Sequence, residues 1–253
     1  MKNFTQLIIA LLLPLLCPLG ANAQDSGDLH WLAERAATSD VVVVAQLERT
    51  DYDYQRDFPV GGETWFRALF GYKGGDDLGL IIVPEQGLGN PGCYFPESLA
   101  ELERPRYLLF LVRGEEGELR GHPEGCALEV LVSSDNRYAV RWPQPRFGDD
   151  AGLDDPVLRE LARPLRFQGP LARIDASELL THQRRDRAER MFMRVDGSDL
   201  LPTRGIPLGE LRGLMRPGLL DPDDEAAVSS RRMDELRQRM GLSDEEPAGG
   251  EEG

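Results

Sequence analysis

Reactive and basic side chains are what this 253-residue chain has least of. There are three histidines, three cysteines and two lysines, and 44 acids stand against 29 bases for a net charge of −15. The acid excess argues against phosphate-backbone binding, which needs a basic footprint. His30, His122 and His182 lie far apart in sequence, without the close ligand pair that zinc sites usually show. No G-x-S-x-G elbow, H-E-x-x-H helix, Walker loop, dinucleotide fingerprint or C-x-x-C pair occurs. The residues therefore predict no catalytic site, no metal site and no cofactor, and the expected class is non-enzymatic. A Ser–His–Asp set assembled from distant positions is not excluded by spacing, so a hydrolase with an unrecognised site remains a minor alternative.

Long hydrophobic runs are also absent after the first 23 residues. Residues 1–23 carry one basic residue, Lys2, then an apolar run from Leu7 to Leu16, and close on Ala21-Asn22-Ala23. Small residues at those two positions mark a secretory signal peptide cleaved between Ala23 and Gln24. The run is too short to span a bilayer, and Pro14 and Pro18 interrupt it, so no stable membrane anchor is expected. Leu16 before Cys17 is too large for a lipoprotein site. The expected location is periplasmic or secreted.

Cleavage leaves 28 bases and 44 acids, a net charge of −16, with only Lys73 as lysine and only Cys93 and Cys126 as cysteines. Two cysteines in an exported chain most simply form one disulfide, contributing about 3–4 kcal/mol; two free thiols are the alternative.

What the sequence has in plenty is short strand signals. Asp28 to Ala37 reads as a short helix, with Leu29, Leu32 and Ala36 on one face. Val41 to Leu47 is a β-branched run with the character of a buried strand. Strands follow at Thr64 to Phe70, Leu78 to Val83, Tyr107 to Val112, Ala127 to Val132 and Tyr138 to Trp142, with a short return at Leu119. Arg49 to Gly62 is polar and turn-rich and reads as a connection. Such spacing predicts a mainly β fold, a small antiparallel barrel or sandwich.

Composition changes near Trp142-Pro143-Gln144-Pro145. Beyond it, helices are predicted over Pro156 to Ala162, Asp175 to Arg190, Pro207 to Met215 and from Asp221 onward. Met191 to Val195 continues a helix or forms a strand. The organisation is a signal peptide over 1–23, a barrel domain over 24–146, an α-rich extension over 147–241 and a disordered acidic tail over 242–253. Acidic clusters at Asp149-Asp150, Asp154-Asp155 and Asp221 to Glu225 fit no calcium loop and read as solvated loops and a helix cap. Arg184, Arg185, Arg187, Arg190 and Arg194 concentrate the positive charge. They read as an exposed, salt-bridged helix, with an anionic-ligand patch as the alternative.

In order along the chain, Asp40 to Leu47, Tyr72-Lys73-Gly74, Cys93, Tyr107 to Leu111 and Cys126 resemble the TIMP-like superfamily. Its members are the tissue inhibitors of metalloproteinases, the netrin-type modules and their bacterial relatives. The resemblance covers roughly Asp28 to Trp142. It implies a five-stranded OB-type barrel, an exported location and no cofactor. The animal inhibitors begin with a cysteine whose amino group and carbonyl chelate the target's zinc. Here the expected mature start is Gln24, and the first cysteine lies 69 residues later. Inhibition therefore does not carry across.

The expected function is an exported, non-enzymatic protein-binding module whose partner is another exported protein and not a nucleic acid. The alternative is a peptidase inhibitor acting through a loop. Charge places the acid excess on the barrel (12 bases, 21 acids over 24–146) and the tail, which makes the nearly neutral extension the better docking candidate.

Intact mass spectrometry of the exported protein should give the mass of residues 24–253 less about 2 Da, restored by reductant. A retained leader, or two cysteines that alkylate without reduction, would contradict this.

Overall fold

The computed structural model describes residues 29–56, 58–74, 78–85, 94–95, 104–143 and 155–220. In chain order the elements are α1 (Trp31–Thr38), β1 (Val41–Gln55), β2 (Phe58–Lys73), β3 (Leu80–Glu85), β4 (Arg106–Arg113), β5 (Leu119–Gly121), β6 (Ala127–Val132) and β7 (Tyr138–Arg141). Then come α2 (Pro156–Leu161), β8 (Arg163–Pro164), β9 (Ile174–Asp175), α3 (Thr181–Arg190), β10 (Met193–Asp196), β11 (Asp199–Pro202), β12 (Arg204–Pro207) and α4 (Leu208–Leu219). Strand outweighs helix, and every ladder among the described residues is antiparallel.

The β-branched run opens β1, and its partner in β4 is as apolar. Val41 to Ala45 and Leu108 to Leu111 are fully buried. Alternation along a strand sends neighbours to opposite faces. Val42, Val44, Leu108 and Phe110 enter one core, which α1 and α4 close with Leu32, Ala36, Leu211 and Met215. Val41, Val43, Ala45, Leu109 and Leu111 enter a second core with Phe66, Ile81, Val83 and Phe95. The central ladder thus divides two cores.

The main sheet has nine strands in the order β3-β2-β1-β4-β6-β7-β12-β8, with β5 also on β4. It is open: among the described residues no ladder joins its ends, so the closed barrel expected from the strand spacing is not formed. The reason lies in β4, whose second edge serves two partners. Arg106 to Leu109 pair with β6, and Leu111 to Arg113 pair with β5. The sheet branches there; β5 lies against β3, but no ladder among the described residues joins the two.

Three further expectations change. Arg49 to Gly62 is not a connection; β1 and β2 pair through it as far as Gln55 opposite Phe58. Bulges absorb the irregular pattern, and Glu48 anchors the arm through ion pairs to Arg67 (2.8 Å) and Arg104. The helix predicted from Asp175 begins at Thr181, because Asp175 is spent in β9 opposite Asp199. Beyond residue 147 the chain mixes helix with strand: β12 extends the main sheet by pairing with β7, and β10-β11-β9 form a small sheet of their own. The tail and the helix from Asp221 lie outside the described residues.

Two small motifs hold the helical layer. Lys73 donates from Nζ to the Ala36 and Ala37 carbonyls (3.0 and 2.8 Å), neutralising the C-terminal end of α1. At the α1–α4 crossing, a Cβ on Gly218 would sit 1.9 Å from the Ala33 carbonyl oxygen, so only glycine permits this approach. No helix among the described residues is long and apolar enough to cross a membrane.

Leu109→Ala should cost about 2–5 kcal/mol in denaturant unfolding, as a fully buried leucine leaves a cavity between packed strands. Leu80→Ala, on the surface, should stay within about 0.5 kcal/mol.

Candidate functional site

Histidine is where chemistry would first be sought, and two of the three are committed to structure. His30 caps α1: Nδ1 accepts from the Leu32 N–H (3.2 Å), so Nε2 carries the proton and donates to Asp155 Oδ2 (2.9 Å). The same oxygen accepts from the Trp31 indole (2.7 Å), while Oδ1 caps α2 through the Val157 and Leu158 N–H groups (both 3.0 Å). This is a His–Asp pair with no ring nitrogen left to act as a base. One carboxylate ties the starts of two helices together.

His122 is similar. Its Nδ1 accepts from the Glu124 N–H (3.2 Å), and its Nε2 meets Thr38 Oγ1 (2.9 Å), whose hydroxyl donates to the Glu34 carbonyl (2.8 Å). Beside it, the buried Arg35 donates to the Glu124 carbonyl (2.6 Å) and lies 4.6 Å from the Trp31 ring. His182 is exposed on α3. No three histidine, cysteine or carboxylate side chains among the described residues form a metal-holding group.

The other residues singled out from sequence are dispersed. Cys126 is buried in the second core, just before β6. Cys93, Ala23, Gln24, Asp149, Asp150, Asp154 and Asp221 to Glu225 lie outside the described residues. Asp196 and Asp199 share Arg173 (3.3 and 3.1 Å) on the β10–β11 hairpin. Arg184, Arg185, Arg187 and Arg190 are on α3, and Arg194 is on β10.

The surface is more informative. Of the twelve exposed large apolar side chains among the described residues, seven lie on β1–β3 or at Tyr94. Ile81 and Val83 point into the second core, so Leu80 (53% exposed) and Ile82 (39%) point out. Ile82 pairs with Trp65 across the ladder, and Leu80 with Arg67. The Arg49 guanidinium lies 4.0 Å from the Trp65 ring. The outward face of β2–β3 is thus apolar at its centre and charged at its margin. Sequence reasoning missed it because both alternating sets of the two strands are apolar. A concavity of about 590 Å³ is lined by Phe70 and Tyr138, which stack at 6.1 Å, with Arg163 and Glu210 beside them. Another, of about 570 Å³, opens between β8 and β11.

Comparison with protein-family models, curated proteins and solved structures returned no match.

Burial and Arg35 hold the His122 imidazole below its usual pKa, opposed by Glu124. Burial pushes the Asp155 carboxyl up, but the Leu158 N–H, the Trp31 indole and His30 outweigh it, leaving the value below the ordinary one. Both values are depressed in the folded state, so each contribution is present above the unfolded value and lost as pH falls through the folded one. Stability should therefore decline in two windows, from about pH 6.5 downward for His122 and below about pH 3.9 for Asp155. Denaturant melts across pH should show His122→Gln removing the first decline and Asp155→Asn the second. A decline unchanged in either variant would refute the assignment.

Proposed function

We propose that the chain is an exported protein-binding module of TIMP-like, OB-type fold that carries out no chemistry of its own. The observation that carries the reading is the outward face of β2–β3, where Leu80 and Ile82 stay exposed beside the half-buried Trp65, above a finished core. Contiguous apolar surface rimmed by charge marks protein interaction sites. The two histidines with buried surroundings have no nitrogen to spare, which favours binding over catalysis. Charge alone pointed to the extension as the docking part; the exposed apolar side chains favour the barrel region.

The OB-type reading is supported by the five strands around the second core. They run β3-β2-β1-β4-β5, with β3 lying against β5 where a barrel of this type would close. Export is supported by the leader-like residues 1–23.

Affinity capture with the exported chain should recover a stoichiometric partner, and the L80E/I82E double variant should lose it while melting like the parent. Retention of the partner by that variant, or repeated failure of the parent to recover any, would overturn the proposal.

A further inference from the structure

The β8–β11 cleft faces a different side of the chain's chemistry. The chain as a whole is strongly acidic, yet residues 163–204 hold nine arginines against six acids, a local net of +3. Two of them are spent on acids: Arg163 pairs with Glu210, and Arg173 with Asp196 and Asp199. Arg166 and Arg194 are not. Both are exposed, both line the cleft, neither has an acidic partner among the described residues, and no carboxylate is part of the lining.

The rest of the lining is largely apolar, from Leu165, Phe167, Leu201 and Pro202. Arg194 stands directly opposite Leu201 in the β10–β11 ladder, so the two side chains share one face. The Arg166 segment is held on both sides. Leu165 N–H donates to the Thr203 carbonyl (3.0 Å), Ser134 N–H to the Arg166 carbonyl (2.7 Å), and Gln168 N–H to the Val132 carbonyl (3.0 Å). Beneath, the Phe167 ring rests on Gly205 so closely that a Cβ there would sit 2.5 Å from it. A braced apolar floor with two uncompensated guanidinium groups complements a ligand that is anionic at one end and apolar along its body. About 570 Å³ is the size of a small-molecule site.

We propose that this cleft binds a small amphiphilic anion, a carboxylate or phosphate head on a hydrocarbon or aryl body, with Arg166 and Arg194 taking the head and Phe167 and Leu201 the body. The proposal is independent of the β2–β3 docking face.

Calorimetric titration of the chain lacking its leader with octanoate, octyl phosphate and 1-octanol tests it, the two anions separating carboxylate from phosphate preference. At least one anion should bind at one site per chain, at least tenfold tighter than the alcohol, and should weaken as ionic strength rises. The R166Q/R194Q variant should lose at least tenfold for that anion and little for octanol, while R185Q on α3 changes neither. Gly205→Ala, which must displace the Phe167 ring, should weaken both. Equal binding of octanol and the anions, unaltered anion binding by R166Q/R194Q with a parental melting curve, or no binding of either anion would each overturn the proposal.

Discussion

The structure depends on one ladder, β1 against β4, which is buried on both faces. A strand pair with one wet face finds its register by putting the apolar set inside. Here both sets are apolar, so that criterion cannot choose between registers. Polar groups at the end of the ladder do so. Asp40 donates its N–H to the Leu111 carbonyl (2.9 Å) and accepts the Arg113 N–H on its carboxylate (2.7 Å), locking Val41 opposite Leu111. At the other end, Leu47 N–H donates to the Pro105 carbonyl (2.8 Å). Everything outside the ladder hangs on this register, because it assigns each side chain to one core or the other.

The two cores then take different covers. One is roofed by helices, so its junctions need polar ties that survive burial. Asp155 joins α1 to α2, His122 joins the β5–β6 connection to α1, and Lys73 ties the end of β2 to the end of α1. The other core is wrapped by β1–β3 and β5, and its outer surface is left without a roof. Recognition is therefore expected at the outer face of a sheet and at a seam between sheets, and not in a cavity lined by titrating groups.

The elements most legible in the sequence were those whose neighbours in the chain decide them. Val41 to Val44 is β-branched throughout, and Pro156 after Asp155 starts a helix with its cap in place. The arm at Arg49 to Gly62 was not legible, because its polar residues are held by cross-strand partners instead of by burial. Asp175 looked like a helix start by spacing, but its pairing with Asp199 of β11 outweighed local propensity, and the helix begins at Thr181. The exposed face of β2–β3 was hidden for a related reason: Thr64, Phe66 and Ala68 alternate with Trp65, Arg67 and Leu69, and neither set is polar enough to declare itself outward.

By itself the sequence determined composition-level properties: a leader-like start, a strand-rich body, three histidines and three cysteines, and an excess of acids over bases. These follow from what the side chains are, and folding cannot alter them. Tertiary structure alone decided where the main sheet stops, since closure depends on how the second edge of β4 is shared between β5 and β6. It also decided that Arg166 and Arg194, 28 residues apart, line one cleft while Arg173 between them is neutralised. Which charges find partners is a matter of distance in space, and the order of residues along the chain does not contain it.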